Sequence, residues 1–270
     1  MNPAALLPKT APEHLEMLEK SVSLMLWWAW KWASEHPEET FGSILETRVD
    51  VYRRTELHDG EIFDYMHPEL SEPWQRLKRE LTALAGECSS AEEFERRAMP
   101  LVAPLLPGRV ERDLADLHEG RIFANYKDSC LHFGDRLWKE GDARVDFHIA
   151  NSLYPRSIFA EPGYVDRCLL KLADDAERKL GARELTCDSW LNSFEGWTRH
   201  FPPVWRERMT APRYDTEDHL GFWGQFLTCR QTFAEATGRK MRQLGRVPYG
   251  MRRSWCTIAE LREWIGGAGR

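Results

Sequence analysis

The chain has 270 residues, enough for one large domain or two modest ones. Hydrophobic residues (42%) and charged residues (30%) are both plentiful, which excludes an intrinsically disordered protein. The net charge of −6 argues against a protein that coats DNA, and no apolar run approaches the ~18 residues of a membrane-spanning helix. We therefore expect a folded protein that binds neither DNA nor membranes.

Six cysteines are spread along the chain without a CxxC or CxxH pair. This spacing is unlike that of a zinc module or a disulfide scaffold, so we expect buried thiols in a reducing compartment and no metal. The apolar stretch at residues 1–9 is too short for a secretory signal. These features predict a cytoplasmic protein.

The first part of the chain has the periodicity of a helical region. Apolar residues from Leu15 to Ala29 recur at helical spacing, and His36-Pro37 ends that segment. The proline-rich stretch 100–108 predicts a helix break. We assign residues 1–119 to a helical N-terminal region, with further helices predicted at 41–54, 71–86, 90–103 and 109–118.

Tryptophan is the compositional excess, with 12 residues, four of which lie between Trp27 and Trp32. Positions 27, 28, 30 and 32 cover more than half of a helix circumference. Either this helix lies between two packed layers, or some of its rings line a cavity. In the second case we expect Trp28 to contact a bound substrate.

After Gly120 strand and helix patterns alternate, which predicts an α+β domain over residues 120–270. Two strands, 131–138 and 144–150, flank a glycine-containing turn and predict a hairpin. The remaining predicted elements are a helix at 162–180, a strand at 184–191, a short helix at 197–201, a strand at 221–227, a helix at 232–244, a strand at 249–256 and a helix at 257–265.

The polar face of the predicted hairpin carries His132, Arg136, Asp146 and His148. One interpretation is a solvated face with a cross-strand pair between Arg136 and Asp146. The other is functional, with His148 acting as a general base near neutral pH. Two histidines without a third ligand make a weak metal signal.

Polar residues follow the end of the predicted strand 184–191. Asp188, Ser189, Trp190, Asn192 and Ser193 lie at its carboxyl end, which is where ligands bind in α/β layers. Capping of the next helix by Ser189, Asn192 or Ser193 is an equally good explanation. As site residues, Asp188 and Ser189 would position the nucleophile, and Trp190 and Asn192 would contact the substrate.

The segment Phe222-Trp-Gly-Gln-Phe226 is a third group of candidate site residues. Alternation along a strand places Trp223 and Gln225 on one side. A buried glutamine needs a hydrogen-bond partner, so Gln225 is either exposed at an edge or directed to a ligand. We include Trp223 and Gln225 among the expected substrate contacts.

Positive charge is concentrated between Thr228 and Cys256, where seven basic residues accompany one acidic residue. Such a run suits an anionic partner, such as a coenzyme tail or an RNA backbone. A solvated helix face is the alternative explanation. The residues that we expect to hold an anionic donor are Arg242, Arg246 and Arg252.

Three short patterns resemble the C-terminal half of bacterial acyltransferase-like proteins that are distantly related to the GNAT superfamily of N-acetyltransferases. They are Phe147-His-Ile-Ala150, Cys187-Asp-Ser-Trp-Leu191 and Phe201-Pro-Pro203, and the resemblance covers roughly residues 121–256. It implies a GNAT-like mixed sheet flanked by helices, and an acyl-CoA ligand.

The chain departs from that superfamily at the loop that usually holds the CoA pyrophosphate. The superfamily pattern is [QR]xxGx[GA] at the start of a helix, whereas the nearest string here is Arg242-Gln-Leu-Gly-Arg-Val247. It ends in valine and follows a predicted helix, so it lacks the usual nest of backbone amides.

The leading functional hypothesis is acyl or aminoacyl transfer onto a small amine-bearing metabolite. His148 would be the general base, and acyl-CoA, another anionic donor or a charged tRNA would supply the acyl group. A second hypothesis is a donor-free lyase or cyclase that uses His148 and Asp188. A third is a non-enzymatic module that binds an apolar ligand with its indole rings. The sequence does not indicate an oligomeric state.

Overall fold

The computed structural model describes residues 9–60, 68–119, 121, 126, 128–133, 143–215 and 220–267. They form an α+β protein with a helical N-terminal region. The α-helices are α1 (Ala11–Glu35), α2 (Phe41–Thr47), α3 (Glu72–Glu87), α4 (Ala91–Val102), α5 (Pro107–His118), α6 (Tyr164–Leu180), α7 (Glu195–Thr198), α8 (Pro203–Glu207), α9 (Leu220–Trp223), α10 (Glu235–Leu244) and α11 (Ile258–Gly266). The strands are β1 (Leu131–His132), β2 (Arg144–Asp146), β3 (His148–Ile149), β4 (Glu184–Ser189) and β5 (Arg252–Thr257).

Contacts divide the chain into two compact units. The helical unit comprises the described residues of Leu7–Ile122 and Asp215–Pro248, and the sheet unit comprises those of Phe123–Tyr214 and Tyr249–Arg270. Residues 215–248, which a linear division at residue 120 groups with the sheet, therefore pack with the helices. Among the described residues, no helix is both long enough and apolar enough to cross a membrane.

Helix α1 is the central element of the helical unit. The Thr10 hydroxyl accepts a hydrogen bond from the Glu13 amide, and the Glu13 carboxylate accepts one from the Thr10 amide. This capping box fixes the start of the helix. Trp27 and Trp28, on adjacent faces, are 4% and 2% exposed, and α2, α4 and α5 all pack against α1. The helix thus lies between packed layers, as the first interpretation of the tryptophans expected.

One predicted feature of this unit is confirmed and another is wrong. Helix α4 ends at Val102, inside the proline-rich stretch 100–108 that was expected to break it, and α5 begins at Pro107; Pro100 itself fits in the last turn of α4, where it removes only one hydrogen bond. The predicted strand 221–227 is instead α9 followed by a 3₁₀ turn, Gly224–Phe226. Spacing of 222, 223 and 226 fits a helix as well as a strand, and the Trp223 ring lies 5.4 Å from the Phe226 ring within that helical turn.

The sheet unit contains a three-stranded mixed sheet with the order β2-β4-β5. Strands β2 and β4 are parallel, and α6 lies between them in the chain, whereas β4 and β5 are antiparallel. Helix α6 ends where Gly181 adopts a left-handed conformation with φ of +63°. Strands β1 and β3 form a separate antiparallel pair.

The predicted hairpin is only partly correct. Leu131 pairs with Ile149 and His132 pairs with His148, as a hairpin requires. Strand β2, however, pairs with β4 through Val145 and Leu185 rather than continuing that pair. Residues 134–142, which include Arg136, lie outside the described residues.

One face of the mixed sheet is the core of the unit. Leu185, Cys187 and Val145 point to this face and are at most 2% exposed. Helices α6 and α11 cover it, and the rings of Trp197, Phe201 and Trp205 join the same cluster. The opposite face carries charged and polar residues together with Trp255, and it includes part of the candidate site.

Candidate functional site

The polar face of the mixed sheet collects charged side chains from all three strands. The register pairs Asp146 of β2 with Thr186 of β4, and Asp188 of β4 with Arg253 of β5. Because alternate residues share a face, Asp146, Asp188 and Arg253 all project to the same side. Asp146 and Asp188, which the sequence assigned to two separate clusters, thus lie near one another on this face.

Asp188 is held by two arginines. Its Oδ2 accepts a hydrogen bond from Arg213 at 3.0 Å, and Arg253 lies at 3.5 Å from the same oxygen. The other oxygen, Oδ1, is buried and has no hydrogen-bond donor among the described residues. Oδ2 of Asp188 is therefore paired with arginine, whereas Oδ1 accepts no hydrogen bond from the described residues.

Asp146 lies in a different electrostatic environment. Burial raises the pKa of its carboxyl above the ordinary value. Arg253 opposes this rise, and the negative charge of Asp188 adds to it. A carboxyl of raised pKa beside a second carboxylate is a common arrangement in acid/base sites.

His148 is exposed on β3. It acts on Asp146 electrostatically, and its positive form favours ionisation of that carboxyl. The two residues are two positions apart, in the adjoining strands β2 and β3. The structure thus brings together three of the polar residues that the sequence singled out, His148, Asp146 and Asp188.

Ion pairs border this polar face. Arg144 pairs with Glu184 at 2.7 Å, and its guanidinium carbon lies 4.4 Å from the centre of the Trp255 ring. Arg208 lies 3.8 Å from the same ring and binds Glu260 through both of its terminal nitrogens, which lowers the pKa of Glu260 to about 2. These side chains stabilise one another around the indole.

Ser189 and Asn192 serve the local structure at the end of β4. The Ser189 hydroxyl accepts a hydrogen bond from the Leu191 amide and so caps the following 3₁₀ turn, Trp190–Ser193. Ser189 projects to the opposite side of β4 from Asp188. Ser189 is therefore a capping residue, as the alternative explanation expected.

Asn192 is 3% exposed and makes four hydrogen bonds within the protein. Its Nδ2 donates to the carbonyls of Cys187 and Arg252, and its Oδ1 accepts from both Trp197 and Trp205. Both of its polar atoms are thus used to join β4 and β5 to two core indoles.

A shallow depression of about 260 Å³ lies beside this turn in the sheet unit. It contains two of the residues expected at the site, Asn192 and Arg252. Arg252 also donates from Nε to the carbonyl of Thr210. Trp190 is half-buried nearby in sequence, with its ring 5.9 Å from that of Tyr249. The depression is lined by Asn192, Ser193, Glu195, Thr198, Arg206, Met209 and Arg252.

Three expected substrate contacts belong to the core of the helical unit. Trp28 stacks on Trp32 with ring centres 4.9 Å apart, and Trp223 meets Trp28 edge-on at 6.4 Å. Gln225 is 4% exposed and donates to the Phe222 carbonyl at 3.2 Å. The expectation that Gln225 lies on a strand is wrong, because the segment is helical.

The expected donor-binding arginines are divided between the two units. Arg242 belongs to the helical unit, where both of its terminal nitrogens bind Glu95 at 2.7 and 2.8 Å. Arg246 is exposed and follows the left-handed Gly245 that ends α10. The string that resembles a phosphate loop thus ends a helix, as the sequence indicated, and Arg252 belongs to the sheet unit.

Two further clusters escaped the sequence analysis. Hydrogen bonding from the buried Cys130 side chain lowers the pKa of Cys168 to about 5, and the Cys130 amide lies 3.4 Å from the Cys168 sulfur. His200 Nδ1 lies 2.7 Å from Asp166, a carboxylate–histidine pair. The members of each pair are 34 or more positions apart in the chain, so neither pair forms a local sequence motif.

Comparison with known proteins gives no further assignment. No protein-family model matches the chain, and no curated protein or solved structure matches it. Function is therefore argued from the site itself.

Proposed function

We propose that the sheet unit is the acid/base centre of an enzyme that transfers an acyl group onto a small amine. The observation that carries this proposal is the placement of Asp146, His148 and Asp188 together, with the pKa of Asp146 raised by burial. An enzyme near neutral pH needs groups whose proton affinities lie close to that pH. Histidine is the side chain most often used in this role, and burial shifts the pKa of Asp146 upward.

In the proposed reaction the amine attacks the carbonyl of a thioester or ester. A nitrogen–carbon bond forms, the bond from carbon to the leaving sulfur or oxygen breaks, and His148 accepts the amine proton and returns it to the leaving group. Asp188 and Asp146 attract the cationic amine, which releases one proton to the solvent before it attacks as the neutral nucleophile. No covalent intermediate on the protein is required.

The donor is anionic in this proposal, and the depression offers a place for it. Arg206 and Arg252 line the depression against one carboxylate, that of Glu195. The depression adjoins the carboxyl end of β4 on the side from which Ser189 and Arg252 project, so a donor bound there would reach the polar face around the end of the strand. The excess positive charge suits the phosphates of an acyl-CoA or of a charged tRNA.

The test combines binding and turnover. Acetyl-CoA, longer acyl-CoA thioesters and aminoacyl-tRNA are each added to the protein, with thermal unfolding and release of free thiol or tRNA measured in the presence of a panel of primary amines. We expect at least one donor to raise the unfolding temperature and to react. No stabilisation by any donor, together with no release, would refute the proposal.

Variants then assign the reaction to the polar face. His148→Gln should lower the turnover rate about 100-fold or more, the usual contribution of a general base. Asp174→Asn is the matched control, because Asp174 is an exposed carboxylate of the same unit that pairs with Arg262. Equal loss of activity in the control would place the effect outside the polar face.

A donor-free acid/base reaction is the second candidate. It is favoured by the ion pair between Arg242 and Glu95, which occupies one of the arginines expected to hold a donor. This candidate predicts that the protein exchanges a carbon-bound proton of the substrate for deuterium from the solvent without any donor. Proton NMR of the amine panel in deuterated buffer would detect that exchange, and Asp146→Asn should abolish it.

A further inference from the structure

Two buried cysteines of the sheet unit contact each other. Cys130 immediately precedes β1, Cys168 lies in α6, and the Cys130 amide donates a hydrogen bond to the Cys168 sulfur at 3.4 Å. Their side chains also hydrogen-bond to each other. Cys130 is fully buried, whereas Cys168 is 3% exposed. Both are free thiols, so the structure places an unoxidised dithiol in the core of this unit.

Several hydrogen-bond donors converge on the Cys168 sulfur. The Cys130 thiol is the first, and the Cys130 amide and the hydroxyls of Ser129 and Tyr164 add to it. Tyr164 is itself held by Ser152, whose hydroxyl oxygen lies 2.8 Å from the Tyr164 hydroxyl oxygen. These donors favour the thiolate and lower the pKa of Cys168 to about 5. The hydrogen bond to that thiolate raises the pKa of Cys130, so Cys130 keeps its proton.

Burial alone does not produce such a thiolate. Cys187 and Cys256 of the same unit are 2% and 0% exposed, so they are buried to the same extent as the contacting pair. Burial raises the pKa of both of these thiols, that of Cys256 to about 12. The pKa of Cys168 moves in the opposite direction because donors surround its sulfur. Cys168 is therefore the buried cysteine of this unit that carries a nucleophilic sulfur.

We propose that Cys168 and Cys130 form a redox-active dithiol, in which hydrogen peroxide oxidises Cys168 and Cys130 then closes a disulfide. Exposure assigns the two roles, because an oxidant from the solvent meets Cys168 before the fully buried Cys130. Exposure also selects the oxidant: so little of Cys168 is exposed that a molecule little larger than water reaches it, whereas oxidised glutathione is too large. This dithiol lies in the core of the sheet unit, and its chemistry does not depend on acyl transfer.

The oxidation has two steps. First the Cys168 thiolate attacks the oxygen–oxygen bond of hydrogen peroxide, a sulfur–oxygen bond forms, and hydroxide leaves. Then the Cys130 sulfur attacks the resulting sulfenic acid, a sulfur–sulfur bond forms, and the remaining oxygen leaves as water with the Cys130 proton. The pair of sulfurs loses two electrons, and the peroxide is reduced to hydroxide and water. A small dithiol reductant such as dithiothreitol reverses the oxidation.

The first test identifies the disulfide in the full chain. The reduced protein is treated with one equivalent of hydrogen peroxide, the remaining thiols are blocked with N-ethylmaleimide, and the peptides are analysed by mass spectrometry. We expect the peptides of Cys130 and Cys168 to be joined in the main product. In urea the pair is separated, and the preference for this disulfide should disappear. A main product that joins other cysteines, or no disulfide at all, would overturn the proposal.

The second test assigns the roles of the two sulfurs. Cys130→Ala should leave Cys168 as a sulfenic acid that dimedone traps, whereas Cys168→Ala should leave Cys130 unmodified. Cys256→Ala is the matched control, because it removes another buried thiol of the same unit and should form the disulfide as the wild type does. Dimedone on Cys130 in Cys168→Ala, together with none on Cys168 in Cys130→Ala, would contradict the assigned roles.

A milder variant covers the case in which an alanine variant does not fold. Tyr164→Phe keeps the ring and removes one donor to the Cys168 sulfur, so the thiolate becomes less populated near its pKa. Disulfide formation should then be slower by about twofold or more at pH 5 and unchanged at pH 8, where the thiolate is complete in both proteins. Tyr249→Phe, which alters a tyrosine that packs on Trp190, is the control and should match the wild type at both pH values. Equal rates of Tyr164→Phe and the wild type at pH 5 would contradict the role of the donors.

Discussion

Asp113 of the helical unit and Asp146 of the sheet unit are both withdrawn from solvent, yet their proton affinities move in opposite directions. Burial opposes ionisation of Asp113, but hydrogen bonding by His14 and the charge of Arg109 outweigh it and lower its pKa. Burial raises the pKa of Asp146, and Arg253 only partly offsets this.

The difference shows how the fold uses each carboxyl. A carboxylate with donors on it contributes to stability, because folding favours the charged form that those donors bind. A carboxyl with a raised pKa costs stability near neutral pH, and such groups are concentrated where chemistry is done. Asp113 is therefore structural in this account, and Asp146 is a candidate acid/base group.

The largest expected effect follows from Asp113→Asn. The substitution leaves the buried guanidinium of Arg109 without its carboxylate, which typically costs about 3–5 kcal/mol of unfolding free energy. Urea unfolding at pH 7 measures it. Asp116→Asn, in the same helix, is the control, since Asp116 pairs with the more exposed Arg121 and should cost about 1 kcal/mol or less. Equal losses of unfolding free energy in the two variants would show that the buried pair of Asp113 stabilises the protein no more than the exposed pair of Asp116.

The next effect concerns Lys9 and pH. Its pKa falls from 10.5 to about 7 on folding, so the unfolded chain binds more protons between those values. Stability from this residue should therefore rise with pH from about 7 to about 10, by roughly 2 kcal/mol or more. Unfolding of Lys9→Met across that range should lack this rise. An identical slope in the wild type and in Lys9→Met would show that Lys9 keeps its ordinary pKa in the fold.

The smallest effect should have the opposite sign from that of Asp113. With a raised folded pKa, Asp146 contributes most at acid pH, and its contribution is lost as pH rises through that pKa. Asp146→Asn should therefore stabilise the protein at pH 7, by up to about 1 kcal/mol, and give no advantage at pH 3. Chemical unfolding at both pH values measures this, and destabilisation at pH 7 would mean that the charge of Asp146 is needed for folding.

Local signals explain which elements were predictable. The periodic apolar residues and the glycine at position 181 predict helix α6, and a short run of strand-forming residues predicts β4. The segment 221–227 was not predictable from alternation, because four aromatic and polar residues fit two periods equally well. Packing of Trp223 against Trp28, far away in the chain, decides between them.

The sites were predictable only where the chain places residues close together. His148 and Asp146 lie in one segment, and the register of β2 with β4 adds Asp188. The buried charges of the helical unit come from three separate places in the chain, so no single motif contains them: Lys9, the residues Asp50, Arg53 and Arg54, and the residues Arg109 and Asp113. Arg242, which the basic run of the sequence favoured for anion binding, instead pairs with Glu95, 147 residues away in the chain.

The most direct test of the acid/base account is the pKa of Asp146 itself. A ¹³C NMR titration of the aspartate carboxyl carbons, with Asp146→Asn used for assignment, would measure it in the wild type and in Asp188→Asn. We predict a wild-type pKa above the ordinary value of 3.8 and a lower one in Asp188→Asn, because removal of a neighbouring negative charge favours ionisation. A wild-type value at or below 3.8 would contradict the account.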